Sequence, residues 1–203
     1  MSAGSAGPAP RSAASTDATD ARDRAWVARV RTGDVPAFEA LFRAYCEPLC
    51  EFVKSYVDSR DVAEELVQEL FCRLWDQRHT WEVPGSVKNY LFKAARNRAY
   101  NHLRHRRVEE AFQSRALDPS AAHGIAAPAP ADRAVEAGEL QSAVQRAIDS
   151  LPSRCREVFV LHRDHHFTYG DIARMLEISP KTVEIHMSRA LAALRTQLAR
   201  WRE

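Results

Sequence analysis

Apolar residues recur along this chain every three or four positions, the period of one buried helix face. Trp26, Val27 and Val30 begin the pattern, which stops near Gly33, so a short helix is expected there. Pro36 opens the next helix, because a proline in the first turn forfeits no hydrogen bond. Phe38, Leu41, Phe42, Tyr45, Leu49, Phe52 and Val53 follow at helical spacing. Asp61 to Trp75 reads as a third helix, with Val62, Leu66, Val67, Leu70 and Leu74 on one side. Pro84-Gly85 breaks the chain, and Val87 to about Arg107 reads as a further long helix. No stretch sustains the period-2 alternation of β-branched residues that marks a strand. The expected fold is therefore all-α, as two small helical domains joined by a flexible linker.

The periodicity lapses in two places. Residues 1–20 are almost entirely Ala, Ser, Gly, Pro, Thr and Asp. They bury too little apolar surface to offset the entropy of ordering, so a disordered tail is expected. Residues 113–135 contain Pro119, Gly124, Pro128 and Pro130 among alanines and read as the linker. The helical blocks are then 21–112 and 136–203. Apolar residues make up 45% of the chain and charged residues 28%, enough of each for packed, water-exposed domains. No apolar run reaches the ~18 residues of a membrane span, and no signal-peptide core is seen. Insertion in a membrane is not expected. Cys46, Cys50, Cys72 and Cys155 are scattered without export features, which suits reduced thiols and a cytoplasmic location.

The segment TYGDIARMLEISPKTVEIHMSRALAALR carries the sharpest local signals. Thr168 is placed to cap a short helix, with Asp171 in the position of a capping-box acid. Ile172, Ala173 and Leu176 face inward, and a tight turn follows at Glu177-Ile178. Ser179 then caps a second helix with Pro180 at its first position. Val183, Met187, Ala190, Leu191, Leu194 and Leu198 form its apolar stripe. Lys181, Thr182, Ile185, Ser188 and Arg189 lie on the opposite face. This is a helix-turn-helix, the arrangement that lays a second helix in the major groove of DNA. Lys181 and Arg189 can reach phosphates or guanine edges, Thr182 and Ser188 can donate, and Ile185 can meet a thymine methyl.

Charge sharpens the picture elsewhere. The net charge of +2 says little, but seven Lys or Arg and no acid lie between Ser86 and Arg107. Lys93, Arg96, Asn97, Tyr100, Arg104 and Arg107 share one stripe of that helix, opposite Leu91, Phe92, Ala95, Ala99 and Leu103. A cationic stripe holding an amide and an aromatic suits a nucleic-acid backbone, with Tyr100 able to stack on an exposed base. Phe92 is expected in the core; Tyr90 and Trp81 fit either core or surface. The preceding helix presents the opposite charge: Asp61, Glu64, Glu65, Gln68, Glu69 and Asp76. That face repels phosphate. It is either solvated, which electrostatics alone favours, or docked on a basic protein surface.

Other chemistry is poorly represented. Cys46 and Cys50 lie four apart, with His102 and His105 elsewhere, but the close ligand spacing of a zinc site is missing. His162, His165 and His166 are explained as a polar loop between helices. There is no Gly-rich phosphate loop and no nucleophile motif. No metal, no cofactor and no catalytic activity are expected.

Three segments together resemble a known family. AFEALFRAYCEPLCEFV with AEELVQELFCRLWD is similar to region 2 of the sigma-70 family, in its extracytoplasmic-function group. KNYLFKAARNRAYNHLRHRR is similar to that region's promoter-melting helix, which reads the −10 element. LPSRCREVFVLHRDHHFTYGDIARMLEISPKTVEIHMSRALAALR is similar to region 4, which reads the −35 element. The resemblance spans roughly 34–107 and 140–199. It implies a sigma factor that binds core RNA polymerase through the β′ clamp coiled coil and the β flap. It assigns Glu65, Gln68, Glu69 and Phe71 to core binding. It assigns Lys93, Arg96, Asn97, Tyr100 and Arg104 to −10 DNA, and Lys181, Thr182, Ile185, Ser188 and Arg189 to −35 DNA. An anti-sigma protein is a further partner of the kind the family implies. Two departures stand out: Glu177 where the family's turn often has Gly, and Gly170 where Glu is usual. Apart from the resemblance, a helix-turn-helix regulator that acts without polymerase also fits these residues.

Overall fold

The computed structural model describes residues 13–57, 59–116 and 137–201. Among these the ordered elements are eight α-helices and two short 3-10 turns. Residues 1–12 of the expected tail and 117–135 of the expected linker lie outside the described residues.

Contacts divide the chain into two compact units, 1–53 with 59–96 and 54–58 with 97–203. In the first, α1 spans Ala13–Arg31, α2 Val35–Val57 and α3 Arg60–Asp76, and α4 begins at Val87. Helix α1 starts seven residues before the expected end of the tail, which corrects the sequence-derived boundary. The segment is alanine-rich, and specific polar contacts hold its inner end. Ser86 donates to Asp20 Oδ1 at 2.9 Å. Asp23 is fully buried, accepts from the Tyr45 hydroxyl and pairs with Arg22 at 2.8 Å. Burial, and then the Asp23 carboxylate, push the Tyr45 hydroxyl above its ordinary value, so it stays a donor. Gly33, at φ 88°, supplies the left-handed turn that ends α1.

Asp34 caps α2 by accepting from the Ala37 amide at 3.0 Å, and Arg29 donates to the same carboxylate at 2.8 Å. These two bonds hold the Asp34 carboxyl below its ordinary value. Ser59 caps α3, accepting from Val62 at 3.4 Å. The core of the unit is formed by Leu41, Leu49, Phe52, Val53, Val67, Leu91 and Phe92, all fully buried. The Phe52 and Phe92 rings lie 5.1 Å apart. Trp81 is buried as well, beside half-buried Tyr90 at 6.0 Å, so both aromatics belong to the packing.

Helix α4 runs on to Ala116, past the expected stop near Arg107 and through the first residues assigned to the linker. In the second unit, α5 (Ala137–Asp149), α6 (Ser153–Arg163), α7 (Tyr169–Leu176) and α8 (Pro180–Gln197) build the C-terminal module. Helix α8 packs against the other three. Leu161, Ile172, Val183 and Ala190 are its fully buried centre. Leu191, expected in the α8 stripe, is 36% exposed, because it lies at the border of that stripe.

The histidines between α6 and α7 are not a free polar loop. His162 lies on α6, its Nδ1 is 2.9 Å from the Phe167 carbonyl oxygen, and its ring meets Tyr169 edge-on at 5.0 Å. His165 is buried, and His166 takes a left-handed φ of 57°. His162 ties α6 to the bend that leads into α7.

Candidate nucleic-acid interface

The turn between α7 and α8 is set by local chemistry. Thr168 Oγ1 accepts from the Asp171 amide at 3.1 Å, while Asp171 accepts from the Thr168 amide at 3.3 Å, a complete capping box. Helix α7 ends on Glu177, which sits at φ 57°, ψ 43°. The Ile178 amide then donates back to Ala173 at 3.0 Å. Glu177 therefore occupies the left-handed position where Gly is the unstrained choice. Gly170 falls in the first turn, where an added Cβ would meet only Thr168 Oγ1 at 3.8 Å. Ser179 starts α8 by accepting from the Thr182 amide at 3.0 Å, with Pro180 at the first helical position.

The outer face of α8 is open. Lys181, Ile185, Ser188 and Arg189 are exposed, Ile185 at 43%. Thr182 is half-buried, and its hydroxyl lies 2.8 Å from Ser179 Oγ, so it is tied to the cap. Lys181 donates to Glu184 Oε2 at 2.8 Å. That bond raises the Lys181 ammonium above its ordinary value, keeping it charged. Glu184 is absent from the sequence-derived set, although its i,i+3 spacing from Lys181 carries the signal. His186, on the inner border of the same helix, has Nδ1 at 3.7 Å from the buried Cys155 thiol.

The cationic stripe lies along one helix. Lys93, Arg96, Asn97, Tyr100 and Arg104 rise over about 16 Å of α4, at 1.5 Å per residue. Asn97, Tyr100 and Arg104 are exposed, whereas Lys93 and Arg96 are half-buried. Tyr56 meets Tyr100 edge-on at 5.5 Å, fixing its ring while 37% of the residue stays exposed. A rigid, part-exposed aromatic among cations is suited to stacking on an unpaired base.

Helix α3 presents Glu65, Gln68 and Glu69 to solvent. Glu64 is engaged instead by Arg60 at 2.8 Å, and Arg60 also reaches Glu47 and Glu51 at 3.1 Å each. Phe71, on the same helix, is 2% exposed. It floors a cavity of about 320 Å³ whose walls include Phe38, Phe42, Gln68, Cys72 and Trp75. Its rings pack edge-on, Phe42 on Phe71 at 4.9 Å and Phe38 tilted on Trp75 at 5.0 Å. Asp76 also lines the hollow, and an aromatic hollow on a helix that carries exposed carboxylates can seat a basic, amphipathic protein surface. Sequence alone places Phe38 and Phe42 simply in the core.

Among the described residues, no three His, Cys, Asp or Glu side chains are grouped to hold a metal ion, and all four cysteines are free thiols. Among the same residues, no helix is long and apolar enough to cross a membrane.

Comparison with known proteins places both halves. Residues 41–109 match Sigma-70 region 2, and residues 141–194 match Sigma-70, region 4. The chain is 27% identical to the RNA polymerase sigma-H factor of Pseudomonas aeruginosa over 184 residues, covering 87% of this chain and 93% of that one. It is 28% identical to the ECF RNA polymerase sigma-E factor of Escherichia coli strain K12 over 179 residues, covering 85% and 92%. Among solved structures, it is similar to the sigma factor RpoE of Bartonella quintana, seen with the anti-sigma factor NepR. That likeness has a TM-score of 0.61 and 26% identity, and covers 80% of this chain and 96% of the other. CnrH, solved with the cytosolic domain of CnrY, shares the fold at TM-score 0.61 and 22% identity, over 88% and 97% of the two chains.

Proposed function

Because the chain belongs to the extracytoplasmic-function group of the sigma-70 family, and is a sigma factor that directs promoter recognition, we propose a division of labour among its helices. Helix α8 enters the major groove of the −35 element. Lys181, Ile185, Ser188 and Arg189 face the bases and phosphates there, and Thr182 steadies the N-terminal turn. The α4 stripe of Lys93, Arg96, Asn97, Tyr100 and Arg104 holds the −10 element as single strand. Unstacking a base costs a few kcal/mol, offset by stacking on Tyr100 and by phosphate contacts. The segment after α4 tethers the two readers.

Glu65, Gln68 and Glu69, together with the aromatic hollow over Phe71, dock on core RNA polymerase at the β′ clamp coiled coil, while the C-terminal module meets the β flap. The observation that supports this reading is an exposed acidic face on α3 and cationic faces on α4 and α8, on separate helices of one chain. An anti-sigma protein, of the kind seen with RpoE of Bartonella quintana, is a further partner. The work is binding rather than catalysis, and its site is the cytoplasm, where polymerase and promoter DNA meet.

Co-purification with core polymerase tests the docking face. Glu65→Lys with Glu69→Lys should weaken core association by about tenfold or more, and should leave duplex binding by the isolated chain unchanged. Undiminished core association would overturn the assignment. If instead the unaltered chain bound duplex specifically and never core, a polymerase-independent regulator would be the correct reading.

A further inference from the structure

We propose that Glu184 is a base-reading residue and that, coupled to Lys181, it selects a G·C pair in the upstream promoter element. The inference rests on α8 being the upstream reader. Lys181 and Glu184 lie one turn apart in the first two turns of α8, the part of such a helix that reaches base edges. Their side chains are 77% and 49% exposed and are joined at 2.8 Å. Viewed down the helix, Glu184 borders the exposed face on one side and Arg189 on the other, with Lys181, Ile185 and Ser188 between them.

A carboxylate on this face is repelled by phosphate, and finds a favourable partner only in a hydrogen-bond donor. The major groove offers two at base edges, the amines of cytosine N4 and adenine N6. Adenine sets its N7 acceptor beside that amine, which faces the carboxylate with like partial charge. Cytosine does not. Guanine and thymine present acceptors and are rejected. The guanine partnered with that cytosine offers O6 and N7, which match the Lys181 ammonium. Lys181 has three protons, so it can bond guanine while keeping its bridge to Glu184. A donor held beside an acceptor on the protein thus mirrors the acceptor and donor of one G·C edge. The bridge also neutralises the carboxylate as α8 approaches the phosphates.

The test uses holoenzyme reconstituted from the full chain and core polymerase. Bound duplexes are selected from a library randomised across the upstream element and are then sequenced. The unaltered chain should favour a G·C pair at one position by roughly 5- to 150-fold. Glu184→Ala should bring that position close to indifference. Glu184→Gln should move the preference from cytosine to adenine, which an amide reads through N6 and N7. Glu184 is exposed, so both variants should associate with core as the unaltered chain does. Variants that enrich the same base as the unaltered chain would overturn the role of Glu184. If the unaltered chain enriched no upstream sequence at all, the assignment of α8 would itself fail, and this inference with it.

Discussion

Glu177 holds a left-handed conformation, φ 57° and ψ 43°, that a side chain with a Cβ adopts at a cost of about 1–2 kcal/mol. Glu177→Gly removes that strain, although glycine's greater freedom in the unfolded chain offsets part of the gain. The substitution should stabilise the C-terminal module by roughly 0.5–1 kcal/mol, read from denaturant unfolding of the full chain; a loss of stability would show that other contacts of this side chain outweigh the strain. This detail is visible in the sequence, because the caps at Thr168 and Ser179 fix where the turn must fall. Other residues are less legible. Burying Phe71 under an acidic helix depends on Phe38 and Phe42, some thirty residues away, and no local period reports that. Glu184 is legible beside Lys181, but its meaning appears only once the bridge and the exposed face are seen together.

At the scale of the helices, the four cysteines separate by position. Cys72 is exposed on α3 at the lip of the aromatic hollow. Burial pushes the Cys50 thiol up to about 12 and raises Cys46 as well, while Cys155 is buried. A thiol raised in this way stays protonated, hence unreactive, through neutral pH. Because its folded value lies above the unfolded one, its contribution to stability is lost as pH climbs through the alkaline range toward about 12. Near neutral pH a bulky maleimide should label Cys72 far faster than the other three, and the adduct should block core association while sparing duplex binding. Equal labelling of Cys50, or an adduct that binds core normally, would contradict the placement of the docking face. Helix ends were similarly uneven in the sequence. The starts of α2, α7 and α8 follow from Pro36, Thr168 and Ser179, which act within a turn of themselves, whereas the caps Asp34 and Ser59 emerge only in the structure. Nor is the start of α1 legible, since an alanine-rich segment with few apolar side chains looks unstructured until Asp20 finds Ser86 and Asp23 finds Tyr45.

For the whole chain, the two cationic faces and the acidic face belong to one task only if they act together on one promoter. Sequence order alone, acidic helix, cationic helix, then capped helix-turn-helix, already suggests this, and the matches to regions 2 and 4 of one family agree with it. What no local pattern supplies is that Tyr100, the residue proposed to stack on an unpaired base, meets Tyr56 at the end of α2. The most direct measurement is transcription in vitro from promoter-bearing genomic fragments, with purified core polymerase and this chain as the only specificity factor. The account predicts transcripts that begin at defined sites, require both proteins, and are lost when Tyr100 and Arg104 are replaced by Ala although core association persists. Core polymerase that gains no promoter-specific transcription from the intact chain would contradict it.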